Sequence, residues 1–313
     1  MLFRLIVPII LSFMLFAPHA LAFEGLVQSF GSTGIITWGN GEITVSQDVA
    51  GNAGGADQAL SSLAVRKVVS QARKQMLDMV LSVRIDGKQT VSAYLSGDSD
   101  LSAQVRGLIQ NSLFQGPTLF DEGGTVRVSE RFRGPLAELV LPTTLQFQSG
   151  IPPRLSTAMA QGMPMADNAP EEVGSGTRGY TGVVVDARGL KITPALAPVI
   201  FGQDGFGAYG PFLVSRTSAV DKGVVAYSVT DNSNILKERV GVRPLLVKAL
   251  SAYGSWRTDM IISASDARLM RAVAKSDSIA NGCKVVIIVD APEMLPDTTP
   301  TTSPERMEEN NDA

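Results

Sequence analysis

The first clear pattern along the chain is a pair of β-leaning runs, Ile35-Ile36-Thr37-Trp38 and Glu42-Ile43-Thr44-Val45. Between them, Gly39-Asn40-Gly41 supplies the positive-φ residues of a tight turn, so the pair predicts a β-hairpin. A helical pattern follows over residues 55–82, where Leu60, Ala64, Val68, Ala72 and Met76 recur at four-residue spacing and predict a buried stripe. Residues 83–95 carry Asp86-Gly87 between β-leaning segments and suggest a strand or a second hairpin. A second amphipathic helix is expected over 99–114, with Asp98 or Ser99 as its cap. Beyond Gly123-Gly124, Val126, Val128 and Phe132 alternate with Arg127, Ser129 and Arg131, the period-two signature of a half-exposed strand. Residues 136–145 read as one more strand.

The second half is richer in strand signals, at 182–187, 192–201, 212–215, 223–229, 240–250, 259–263 and 284–290. Runs such as Val183-Val184-Val185 and Val285-Val286-Ile287-Ile288-Val289 are apolar at successive positions, which implies strands covered on both faces. One short helix is expected at 264–274, capped by Ser263 or Ser265.

The punctuation between these segments divides the chain. Residues 148–179 hold Pro152, Pro153, Pro164 and Pro170 with no apolar period and read as a linker. Residues 291–313 are rich in Thr, Pro, Glu and Asn and are expected to be disordered. The expected organisation is α+β throughout. An N-terminal domain at 23–147 has two helices packed on a mostly antiparallel sheet, and a second, β-rich α+β domain spans 180–290.

Residues 1–22 read as a cleavable secretory signal: Arg4, then a nearly unbroken apolar run over 5–16, then Ala20-Leu21-Ala22 before the expected cut. The run is about 12 residues long against the roughly 20 that a membrane-spanning helix needs, and Pro18 and His19 end it. The expected location is therefore the periplasm or beyond, with no transmembrane anchor after cleavage and no cysteine near the cut to carry a lipid. Removing Arg4 from the 27 basic residues leaves 26 against 30 acidic ones, a net of −4. Six of those acids and a single base, Arg306, lie in 291–313. The remaining body is near neutral, which suggests neither nucleic acid nor an anionic membrane as a partner.

His19, the only histidine, would leave with the signal. Ser-His-Asp and Cys-His catalysis and His-rich zinc sites are then unavailable, and Cys283, the sole cysteine, has no partner for an internal disulfide. It reads as a small core residue, with intermolecular pairing as the alternative. No cofactor and no enzymatic activity are expected.

The motifs are weak. Gly205-Phe206-Gly207-Ala208-Tyr209-Gly210 has G-x-G-x-x-G spacing, but Pro211-Phe212-Leu213-Val214 reads as a strand, so no helix N-terminus is expected to hold a phosphate. A glycine turn is the better explanation. Asp186 and Arg188 follow an apolar strand, as a turn-stabilising pair or a ligand contact. Asp259 and Asp266 are considered as paired carboxylates of the glycosidase kind, against a simple helix-start role. Trp38 and Trp256 lie beside turns or strand ends and are candidates for stacking on a glycan or anchoring a partner, against core packing. Arg66, Lys67, Arg73 and Lys74 pair at intervals of seven, giving a solvated basic face or a surface for acidic partners.

The N-terminal region resembles the Lpp-twenty-type envelope lipoprotein domain and is similar to the N-terminal module of flagellar assembly protein T. The matching residues are Trp38-Gly39-Asn40-Gly41, Ala64-Val65-Arg66-Lys67 with Ala72-Arg73, and Gly124-Thr125-Val126-Arg127-Val128. The second half, with Thr181-Gly182-Val183-Val184-Val185-Asp186-Ala187-Arg188-Gly189-Leu190 and Pro194-Ala195-Leu196-Ala197-Pro198, looks like a companion region in exported bacterial proteins. The resemblance implies a non-enzymatic envelope protein, in some relatives part of rings or disks around the flagellar motor, and supplies no catalytic residues. The expected function is a periplasmic structural or assembly protein that self-associates or docks on envelope or flagellar proteins. A ligand- or glycan-binding module is the alternative, with Trp38, Asp186, Arg188 and Trp256 as contacts.

Overall fold

The computed structural model describes residues 25–49, 62–116, 124–155 and 179–292. The architecture is α+β, built on two sheets. The first contains β1 (Val27–Phe30), β2 (Gly34–Thr37), β3 (Glu42–Val49), β4 (Leu113–Gln115) and β5 (Gly124–Arg131), in the order β1-β2-β3-β5-β4. Every pairing in it is antiparallel. The expected hairpin joins β2 to β3, with Gly41 at φ 73° at its turn.

Helix α1 (Ser62–Ser82) lies on one face of this sheet, burying Val69, Ala72, Met76, Met79 and Val80. Ala72 and Met76 belong to the expected four-residue stripe. The stripe then drifts to Met79 and Val80, because the helix repeats every 3.6 residues and a strict spacing of four rotates off the face. Residues 55–61, read as the start of this helix, lie outside the described residues. Helix α3 (Ser99–Gln110) is capped by Asp98, which accepts from the backbone N–H groups of Asp100 and Leu101.

Two apolar segments read as parts of strands are helical instead, although Arg84 and Thr90 bridge antiparallel across Asp86-Gly87 as the hairpin reading expects. One is α2 (Val91–Leu95), started by the Thr90 side chain accepting from Ala93 N–H. The other is α4 (Pro135–Val140), which buries Leu136, Ala137 and Val140. Their i, i+3, i+4 spacing serves a helix as well as a strand over so few residues, and Pro135 at the first helical position favours the helix.

The second sheet has seven strands: β6 (Val183–Asp186), β7 (Ile200–Gly202), β8 (Gly207–Tyr209), β9 (Ala226–Ser228), β10 (Leu245–Tyr253), β11 (Asp259–Ile262) and β12 (Val285–Ile288). Their order is β8-β7-β11-β10-β6-β12-β9. The strands β10, β6, β12 and β9 pair in parallel, as do β11 and β7, while β10–β11 and β7–β8 are antiparallel. All four residues of β12 are buried, as its unbroken apolar run implies, and all four of β11 are buried too, Asp259 included.

Helix α7 (Ala264–Ala274) occupies the expected range, with Ser263 capping Asp266 N–H. Three further helices are present: α5 (Arg216–Lys222), α6 (Ser233–Val240) and α8 (Asp277–Ala280). The stretch 212–215, read as a strand, is a 3-10 turn at Pro211–Leu213 leading into α5. Most of 192–201 is irregular rather than strand: β7 begins only at Ile200, and Ala195 makes an isolated bridge to Arg84.

The two sheets share one apolar core. Leu26 N–H donates to Tyr227 C=O at 2.9 Å, Gly134 N–H to Val220 C=O at 3.0 Å, and Ala197 N–H to Ile85 C=O at 2.7 Å, each bond crossing between them. Residues 148–155, read as the start of a linker, are instead fastened to the second sheet. Gln148 N–H donates to Val214 C=O, Leu155 N–H donates to Gly205 C=O, and Leu155 packs on Phe201 and Ile261. The rest of that stretch up to 178 lies outside the described residues, as do 1–24 and 293–313.

Candidate functional site

One face of the second sheet is covered at its two flanks and open in the middle. On one flank α6 sets Leu236 and Val240 over Val184, Ala226, Val286 and Ile288. On the other, Leu155 covers Phe201 and Ile261, with Tyr253 packed alongside. Between them runs β10, in which Leu245, Val247 and Ala249 face the shared core while Leu246, Lys248 and Leu250 face outward. Leu246 is 72% exposed and Leu250 47%, and Val242 just before the strand is 85% exposed. The groove between β10 and α6 encloses about 710 Å³.

The rim of this groove carries Asp186 and Arg188. Asp186 ends β6, where its Oδ1 accepts from the Arg188 backbone N–H at 3.1 Å and from Arg188 Nε at 2.9 Å, while Oδ2 accepts from Nη2 at 2.7 Å. Arg188 Nη2 also lies 3.2 Å from Asp231 Oδ2, so the guanidinium joins the turn after β6 to the loop before α6. Hydrogen bonds from Arg188 lower the Asp186 pKa, and Asp186 in turn raises that of Arg188. The group is solvent-exposed, so its Coulombic worth is small and its main effect is to fix the turn. Asp290, which sequence reasoning did not single out, closes the same turn by accepting from Gly189 N–H at 2.8 Å. Its position at the end of an apolar strand is the one sequence signal it shares with Asp186.

The remaining candidates are placed elsewhere. Trp38 is buried between the sheets, with Nε1 donating to Gln28 Oε1 at 2.9 Å and its ring stacked on Phe132, so it presents no surface to a partner. Trp256 is half-buried, and the Arg84 guanidinium sits 3.6 Å above its ring, covering one of its two faces. Asp259 and Asp266 lie at opposite ends of β11 and form no carboxylate pair. Asp266 bonds Ser263 at the start of α7. Asp259 is buried, accepts from Val199 N–H at 2.9 Å, and has its pKa pushed up to about 6 by burial. It borders a second cavity, of about 970 Å³, together with Gly87, Lys88, Phe201 and Tyr253.

The Gly205–Gly210 motif forms the turn from β7 to β8, with Gly205 at φ 81°. Gly207 lies so close to Pro153 and Phe212 that a Cβ would collide with both. Its glycines serve a tight turn and close packing.

A family model, the second domain of Treponema pallidum Tp0624, matches residues 182–291. The match spans the whole second sheet and the open groove. No curated protein matches the chain. Among the described residues no helix is long and apolar enough to cross a membrane.

Proposed function

We propose that the chain is a non-enzymatic structural or assembly protein of the bacterial envelope, exported by residues 1–22, that self-associates through the open strip of its second sheet. The observation that carries this reading is the exposure of Leu246 and Leu250 in the middle of a sheet face whose two flanks are covered. Large apolar side chains left exposed on one sheet face mark a candidate interaction surface. The same face carries both signs, with Lys248 between the two leucines and Asp186 and Asp231 at the edge, where Arg188 already pairs them, so an isologous contact rests on the leucines rather than on new ion pairs. The resemblance of the N-terminal region to envelope domains found in rings and disks supports the same reading and adds a flagellar or other outer-membrane-linked complex as the setting.

Static light scattering and crosslinking of residues 23–313 test it. The expected result is an oligomer that Leu246→Asp converts to monomer without lowering the thermal midpoint. A strictly monomeric protein that crosslinks to no envelope component in cells overturns it. A second reading, a ligand- or glycan-binding module, is favoured by Asp186 and Arg188 standing at the edge of the open groove, where the parallel strand β6 ends. Titration with peptidoglycan fragments separates the two, since only the second reading gives saturable binding that Arg188→Ala removes.

A further inference from the structure

Another groove lies in the first half of the chain, between α1 and α3 and against the edge strand β4, and encloses about 640 Å³. Its walls carry Arg66, Arg73 and Lys74 from α1 and Arg106 from α3, and among the described residues no carboxylate lines it. Among the described residues Arg66, Lys74 and Arg106 make no ion pair. Basic side chains gathered along one groove raise the local potential and attract negative charge, and Asp78, one turn from Lys74 on α1, does not line it.

The floor is apolar. Val69 and Ile109 are buried there, and the half-exposed Phe114 of β4 closes one side. Arg73 is not a solvated surface cation. Its Nη2 donates to Ser112 C=O at 2.6 Å, its guanidinium lies 5.8 Å from the Phe114 ring centroid, and its buried Nε has no hydrogen-bond partner. Of the four cations paired by their seven-residue spacing in the sequence, Lys67 falls outside the groove, while Arg106, from a different helix, joins it.

The arrangement selects among anionic ligands. Arg66 and Lys74 are eight residues apart on one helix, about 12 Å along its axis, so a compact anion meets only part of the set. The apolar floor is recessed between two helices and an edge strand, a shape that admits a chain segment and holds back a flat membrane surface. From this geometry we infer that the α1–α3 groove is a docking site for an acidic amphipathic segment of a partner protein, its carboxylates paired with Arg66, Lys74 and Arg106 and its apolar side chains set on Val69, Ile109 and Phe114. This is the helix-in-groove mode of recognition, in which apolar anchors supply affinity and flanking charges supply orientation and rate. The site is independent of the open strip on the second sheet, and the two stand or fall separately.

Fluorescence anisotropy with residues 23–313 tests the inference. The probe is a fluorescein-labelled peptide of two Glu-Leu-Leu-Glu-Glu-Leu-Leu repeats. Saturable binding is expected, weakened about tenfold by the double reversal Lys74→Glu and Arg106→Glu, and weakened further by salt. Both residues are exposed, so the reversed protein is expected to keep its thermal midpoint. Phe114→Ser is expected to weaken binding with the charges intact, and the conservative swap Lys74→Arg with Arg106→Lys to preserve it. A probe with Lys in place of Glu is expected not to bind. Equal affinity in the wild-type and reversed proteins overturns the inference. So does tighter, reversal-sensitive binding to phosphatidylglycerol vesicles or to single-stranded DNA than to the peptide.

Discussion

The ring of Trp38, beside the β2–β3 hairpin, meets the ring of Tyr227, in β9 at the edge of the second sheet, edge-on, with centroids 5.6 Å apart and planes at 74°. Edge-to-face contact at this separation is a favoured aromatic geometry. Beneath it the Tyr227 hydroxyl accepts from Ala195 N–H at 3.0 Å and donates to Ala195 C=O at 3.1 Å, all within the buried core. One aromatic residue therefore links the first sheet to the loop that leads into β7.

Tyr227→Phe keeps the ring contact and strips both hydrogen bonds from the buried Ala195 peptide groups. The expected cost is about 1–3 kcal/mol, the penalty for leaving buried polar groups unpaired. Because the two sheets share one core, unfolding is expected to be a single transition in both wild type and variant. Tryptophan fluorescence and far-ultraviolet circular dichroism, followed through the same denaturant titration, check this by the coincidence of their curves.

Asp259 makes stability fall as pH rises. Its pKa is 3.8 when unperturbed and about 6 in the folded protein, because burial disfavours the charged carboxylate more than the Val199 N–H bond favours it. The folded state then holds the proton more tightly than the unfolded state, so the favourable contribution is complete below about pH 4 and is lost as pH rises through about 6. The shift corresponds to roughly 3 kcal/mol at most. Asp259→Asn keeps an acceptor for Val199 and removes the titration. Thermal midpoints measured across this window are expected to fall with pH less steeply in the variant than in the wild type.

The parts of this fold that could be read from sequence are those with a long or unambiguous period. The β2–β3 hairpin, the body of α1, the alternation in β5, the range of α7 and the doubly covered β6 and β12 were of this kind. The short helices α2, α4, α5 and α6 were not, since five to eight residues with two or three buried positions satisfy helix and strand templates alike. Their caps were nevertheless present as Thr90, Pro135, Ser215 and Asn232, with Gly223 and Gly241 at the ends of α5 and α6. The open strip at Leu246 and Leu250 was hidden for a different reason. A run such as Leu245-Leu246-Val247 looks doubly buried, and only tertiary structure tells that α6 and Leu155 stop short of covering it. The two tryptophans were legible as residues near turns, but whether a ring faces solvent or a neighbouring sheet is decided by contacts distant in sequence.

Cys283 is fully buried, with its thiol pKa raised chiefly by desolvation. Thiolate attack needs both access and ionisation, and the folded state withholds both. A thiol reagent at mildly alkaline pH is expected to modify the native protein only at the rate of unfolding and to modify the denatured protein at once, with one thiol titrated per chain. Non-reducing electrophoresis is expected to show no disulfide-linked dimer, which places any self-association on non-covalent contacts.

Trp256 tests the choice between an assembly role and a glycan-binding one. The Arg84 guanidinium 3.6 Å above its ring makes a cation–π contact between residues of the two halves of the chain, and the adjoining Arg84 C=O accepts from Leu196 N–H at 3.0 Å. The contact is partly exposed, so Trp256→Ala is expected to lower stability by about 1 kcal/mol. Its effect on ligand affinity is expected to be nil, because the ring is half-buried and Arg84 already occupies one of its faces. Titration of the wild-type protein and Trp256→Ala with peptidoglycan fragments, alongside denaturant unfolding of both, reads the two quantities independently. A loss of saturable fragment binding in Trp256→Ala beyond what its unfolded fraction accounts for would mean that Arg84 yields the ring to a ligand, and the binding-module reading would then displace the assembly one.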